Sequence, residues 1–281
     1  MSRFNPIIEV QNDDLIIPEV REWSIQKYRL LGAYCDIFTT SMKGKWKNLV
    51  YIDLFAGAGF SKIKETDKIL KSSALIASSI SFKFTKYIFC EENVKLFQAL
   101  NQRAKLHHPD LNIDYIEGDT NKRIHQVRAQ IPKFSKGNTV LSFCFVDPFS
   151  LNLDFSTIKV LGGDLNVDFL ILLALGMDAN RNLGSYLDEN NDRIAKFIDD
   201  EHWRQNFESN YKGKDFIRFL SDRYDENMVE LGYVSPALKH QIRSNVKNLP
   251  LYHLAFYSKH PLGNEFWKKV KQYGNFQTEL F

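Results

Sequence analysis

The sequence predicts an α/β chain: a doubly wound three-layer α/β/α sandwich with a C-terminal antiparallel hairpin and a helical insert. Short runs of β-branched and aromatic residues alternate with helically spaced segments, the pattern of βαβ units around a mostly parallel sheet. The 281 residues, 44% hydrophobic and 25% charged, have the composition of an ordinary globular domain. Four successive strand-like runs also end in an acid beside a loop, at Asp53, Glu91, Asp119 and Asp147.

Each element follows from local pattern. Residues 23–39 place Ile25, Tyr28, Leu31, Cys35 and Phe38 at helical spacing, so residues 1–47 read as an N-terminal helical cover. Residues 48–55 form the first strand, which runs into Ala56-Gly57-Ala58-Gly59. The lysine-rich stretch 61–71 reads as a long loop, either a lid or a partner surface, and a helix follows from Ser72 or Ser73. Strands are expected at 87–90, 113–116, 140–146 and 167–175, with helices at 93–106, 122–130 and 155–161. Residues 185–230 read as a wholly helical, acidic insert, and residues 238–246 and 251–258 as a hairpin turning at Lys247 to Pro250. A last helix spans 264–273, and the whole is one domain over 1–281.

Composition excludes several classes. Fourteen glycines and eight prolines are too few for a disordered or collagenous chain. The longest apolar runs, such as Phe169 to Leu175, fall well short of the roughly 20 residues that a membrane span needs. Residues 1–20 lack a signal-peptide layout, so a cytoplasmic protein with no membrane attachment is expected. Cys35, Cys90 and Cys144 are widely spaced and suit buried thiols better than disulfides or a metal site. The seven histidines show no ligand spacing, and neither a phosphate-binding P-loop nor a nucleophile elbow occurs. Charge is uneven: about +6 over 41–86, −7 over 149–231 and +5 over 232–281. Such asymmetry can mark a side that faces a polyanion, or simply a mixed solvated surface.

The four acids carry the chemical argument. In a parallel α/β sheet the carboxyl ends of the strands open on one edge, where ligands bind at the switch point. Gly57 and Gly59 permit positive φ and close backbone approach. Glu91, ending the second strand, can accept both vicinal hydroxyls of a ribose, or can merely complement a helix N-terminus. Asp119 can accept from an adenine amine or can cap the helix after it.

Asp53-Leu54-Phe55-Ala56-Gly57-Ala58-Gly59, Glu91-Glu92-Asn93, Gly118-Asp119 and Asp147-Pro148-Phe149 resemble the motifs of class I S-adenosylmethionine-dependent methyltransferases. With Trp23 and Lys27 at the start, and Tyr257 to Pro261 and Trp267-Lys268-Lys269 at the end, the chain is similar over nearly its whole length to the three-Cys-motif partner proteins. The resemblance implies a Rossmann-like methyltransferase fold with S-adenosylmethionine as cofactor. It also implies a partner protein that bears three cysteines and is radical-S-adenosylmethionine-like, encoded nearby in bacterial mobile-element or antiviral defence loci. Carried over by position, it assigns Asp53, Phe55, Gly57 and Gly59 to the cofactor turn, Glu91 to the ribose and Asp119 to the adenine. Asp147, Pro148 and Phe149 would face the methyl group. The amine-methylating pattern has two prolines where this chain has Pro148 alone, followed by Phe149 and Ser150. A methyltransferase acting on nucleic acid or nucleotide is thus expected. The alternatives are a non-catalytic nucleotide-binding partner subunit of a defence or modification complex, and an enzyme that uses another adenosine ligand.

Overall fold

The computed structural model describes residues 4–176, 182–211, 214–234, 238–243 and 250–276. Its centre is a seven-stranded sheet. Five parallel strands, β2 (Asn48–Asp53), β5 (Lys86–Glu91), β6 (Ile113–Glu117), β7 (Val140–Val146) and β8 (Val167–Leu173), are followed by the antiparallel pair β9 (Leu238–Arg243) and β10 (Pro250–Tyr257). The order across the sheet is β6-β5-β2-β7-β8-β10-β9. Its first five strands follow the 3-2-1-4-5 order of doubly wound nucleotide-binding sheets. The fold is therefore Rossmann-like, with a C-terminal hairpin in place of further parallel strands; the turn expected at 247–249 lies outside the described residues.

β7 and β8 read Val-Leu-Ser-Phe-Cys-Phe-Val and Val-Asp-Phe-Leu-Ile-Leu-Leu, almost unbroken apolar runs. Both are central and covered on both faces, which is why alternation is absent. Because the chain steps from β2 toward β6 and then returns to β7, right-handed crossovers place α2 (Ser73–Ser79) and α3 (Val94–His107) on one face. The same rule places α4 (Thr120–Gln130) and α5 (Phe155–Gly162) on the other. Helix α1 (Ser24–Met42) buries Tyr28, Leu31, Tyr34, Cys35, Phe38 and Met42 and packs against α2 and α10 (Pro261–Phe276). Tyr34 stands 4.6 Å from Phe143 and 4.8 Å from Phe256, ring centre to ring centre, and its hydroxyl donates to buried Asp168 at 2.8 Å.

Three segments differ from the sequence expectation. Residues 4–20 are an extended strap rather than part of a helical cover, ending in β1 (Glu19–Val20). The long loop is instead a hairpin, β3 (Phe60–Ile63) and β4 (Ile69–Lys71), which forms a small second sheet with β1. Three of its lysines are paired: Lys62 with Asp67 at 2.6 Å, Lys68 with Glu9 at 3.1 Å, both at the surface, and Lys71 donates to Ser79 at 2.9 Å. Local pattern missed both segments because each strand has only two to four residues, and β1 finds its partner β3 about forty residues away in sequence. The insert, expected to be wholly helical, is four helices with non-helical residues between them: α6 (Leu183–Leu187), α7 (Arg193–Ile198), α8 (Trp203–Tyr211) and α9 (Phe216–Glu230).

Candidate functional site

At the carboxyl edge of the sheet, where the chain reverses direction between β2 and β7, lies a cleft of about 810 Å³. That volume falls in the range of small-molecule and cofactor sites. Its floor is the turn after β2, its sides are the ends of β5, β6 and β7, and its roof comes from the strap and the start of α1. Phe55, Gly57, Glu91, Asp119, Asp147, Pro148 and Phe149 all line it, whereas Asp53 and Gly59 lie behind the lining.

Asp53 has no solvent exposure. It accepts from the Tyr51 hydroxyl at 3.1 Å, from the Phe55 backbone N–H at 3.3 Å and from the Ser73 hydroxyl. Burial pushes its carboxyl up to about 7 despite these donors. Its place is beneath the turn, where it fixes the Phe55 amide. Gly59, at φ +82°, is wedged between helices: a Cβ there would come 2.9 Å from Leu75 Cδ1 and 3.1 Å from Leu100 Cδ1. Gly57 has φ +63°, and a Cβ on it would meet nothing within 4 Å, so the space above this part of the turn is open.

The Gly57 N–H donates to Glu91 Oε2 at 2.8 Å, and the Asn93 N–H donates to Oε1 at 2.8 Å. Two backbone amides from separate elements therefore aim one carboxylate at the cleft. A carboxylate offers about four acceptor positions, so capacity for two further donors remains. Asp119 caps α4, Oδ1 accepting from the Asn121 N–H at 2.9 Å, and the residue also lines the cleft. The hydroxyls of Ser24 and Ser72 are buried in the cleft wall without a hydrogen-bond partner among the described residues. Unmet buried hydroxyls are costly, and a polar ligand would satisfy them.

On the opposite side Asp147 is paired with Lys27, Oδ2 to Nζ at 2.5 Å, with only 5% of the lysine side chain exposed. Burial works against the Lys27 ammonium, but the Asp147 carboxylate beside it outweighs this and holds its titration above the ordinary lysine range. The ammonium also lies 5.4 Å from the ring centres of both Trp23 and Tyr28, and Trp23 in turn packs on Tyr252 at 4.6 Å. Phe149 is 95% exposed at the lip of the cleft.

Lys27, Ser24, Ser72 and Arg103 have places at or beside the cleft that residue type alone does not reveal. Lys27 carried a signal: it falls on the buried stripe of α1, four residues before Leu31, where a solvated lysine would not sit. Arg103 is buried on α3 and donates to both carboxylate oxygens of Asp13, to Ile16 O at 3.1 Å and to Ala58 O at 2.7 Å. It thereby ties the strap to the turn. Among the described residues no group of His, Cys, Asp and Glu side chains could hold a metal ion.

No family model and no curated protein sequence matches the chain. Solved structures do. TYW2 from M. jannaschii in complex with AdoMet aligns at TM-score 0.44 and 11% identity, over 92% of this chain and 90% of that one. Trm1 from Pyrococcus horikoshii in complex with S-adenosyl-L-methionine aligns at TM-score 0.46 and 10% identity, over 92% of this chain and 64% of that one. A protein from Legionella pneumophila aligns at TM-score 0.49 and 10% identity, over 86% and 89%. The chain thus spans slightly less than two thirds of the length of Trm1.

Proposed function

We propose that the cleft binds S-adenosylmethionine and that the protein is a methyltransferase. The observation that carries this is Glu91: the second-strand acid, locked by the Gly57 and Asn93 amides, points its remaining acceptor capacity into an open cleft at the switch point. Glu91 would accept the ribose hydroxyls, Asp119 would face the adenine amine, and the Phe55 to Gly57 turn would wrap the methionyl portion. Ser24 and Ser72 offer hydroxyls with unmet hydrogen-bonding capacity. When bound, the cofactor supplies an electrophilic methyl group on a sulfonium. The chain's part is to orient the acceptor and to exclude water, which supplies most of the rate for such transfers. Asp147 and Pro148 form the wall of the acceptor side, and Phe149 offers a flat exposed face on which a nucleobase of a nucleic acid or nucleotide would stack.

Calorimetry with S-adenosylmethionine and S-adenosylhomocysteine tests the reading. Glu91→Ala is expected to weaken both by at least about tenfold, the value of one or two lost hydrogen bonds to a charged acceptor. No binding to the parent protein at millimolar ligand would remove the cofactor. Tighter binding of ATP, NAD or adenosine would assign the cleft to another adenosine ligand.

One observation favours a second reading. Asp147 is already engaged by the buried Lys27, which occupies one of its two oxygens. A non-catalytic subunit serving a three-Cys-motif partner in a defence or modification complex would keep the fold and the cofactor cleft without transfer. In that case co-purification with the partner survives Asp147→Asn, and no substrate pool becomes methylated.

A further inference from the structure

A buried ion pair is a poor way to stabilise a fold, because the desolvation of both charges offsets their attraction, and apolar replacements are often neutral or better. Lys27 and Asp147 nonetheless meet at 2.5 Å in the cleft wall, bridging the first turn of α1 to the end of β7. Two rings at 5.4 Å from the ammonium brace it further. We propose that Lys27 balances the charge of Asp147 on the acceptor side of the cleft, so that the pair sets how strongly the site prefers a sulfonium over a thioether.

This inference rests on the S-adenosylmethionine reading above. In methyl transfer the acceptor's lone pair forms the new bond to carbon, the carbon–sulfur pair returns to sulfur, and the positive charge passes from sulfur to the acceptor atom. An unbalanced carboxylate close to the sulfonium holds the charged reactant more tightly than a transition state in which that charge is dispersing. Such ground-state binding gives no acceleration. A cation beside the carboxylate cancels this excess and leaves both groups as hydrogen-bonding partners: the Lys27 N–H groups donate, and the second Asp147 oxygen accepts. Lys27 is in this sense a positioning and charge-balancing residue, acting through Asp147.

The test is the ratio of dissociation constants for S-adenosylhomocysteine and S-adenosylmethionine, measured by calorimetry at pH 7 on the full chain. Lys27→Met is expected to raise the preference for the sulfonium roughly tenfold, the size of one unbalanced charge acting over several ångströms at the effective dielectric of a protein cleft. Lys27→Gln, whose amide can still donate to Asp147, carries the same expectation should the methionine variant not fold. The double variant Lys27→Met with Asp147→Asn removes both charges and is expected to return the ratio to within about twofold of the parent. An unchanged ratio in a folded single variant overturns the proposal, as does a double variant displaced as far as the single. Failure of the parent to bind either ligand is a different result, which overturns the cofactor reading on which the inference stands.

Discussion

Gly57 and Gly59 lie two residues apart in one turn and do different work. At Gly59 a side chain collides with Leu75 and Leu100, and φ is +82°. Gly59→Ala is therefore expected to destabilise the fold by about 2–4 kcal/mol, from left-handed strain and overpacking together. At Gly57 the φ of +63° carries the strain alone, and the new methyl meets only open space. Gly57→Ala should cost about 1–2 kcal/mol of stability while intruding on the cleft, so its larger effect is on ligand affinity. Urea unfolding and calorimetry on the two variants would show the division; equal losses of stability would contradict it. The sequence marks both positions as glycines in a loop after a strand. Which one faces a ligand depends on where α2 and α3 pack, and no local pattern encodes that.

At the level of elements, the strap and the β1-β3-β4 sheet are the part of the fold least foreseen. Strap residues Ile8 and Val10 bond to β4, and Asp13 is held by Arg103, whose guanidinium lies over Phe60 at 4.3 Å. Arg103 also takes the Ala58 carbonyl, so the roof and floor of the cleft share one buried cation. Arg103→Met leaves Asp13 and these carbonyls without their donor. It is expected to cost about 3–5 kcal/mol, as breaking a buried pair does, and to expose residues 4–20 to limited proteolysis. Wild-type protease resistance of that segment in the variant would show that the hairpin contacts alone hold the strap. Of the lysines of residues 61–71, which composition marks as a basic surface, Lys62 and Lys68 are paired with carboxylates at the surface and Lys71 donates to Ser79. Charge counts along a chain do not report which charges are paired.

For the molecule as a whole, two buried carboxylates make stability depend on pH. Burial raises Asp53 to about 7 and Asp168 to about 6. Both values lie above the unfolded carboxylate range, so the favourable contribution is complete below about pH 4 and is lost as pH climbs through 6 and then 7. Relative to the parent, Asp53→Asn and Asp168→Asn should gain stability between pH 4.5 and 8, by as much as a few kcal/mol. Urea midpoints at the two pH values check this, and a pH-independent difference would refute it. On its own the sequence determined the α/β class, the order of the main strands and helices, and the four strand-terminal acids. Hydrophobic period and capping residues act over a few neighbours and can be read without the fold. Tertiary structure decided that Asp53 is a buried support and Glu91 a locked acceptor, that Asp147 is met by Lys27 from a helix 120 residues earlier, and that a lysine-rich loop is a hairpin. Those outcomes depend on burial and on partners distant along the chain, and only the packed molecule brings these together.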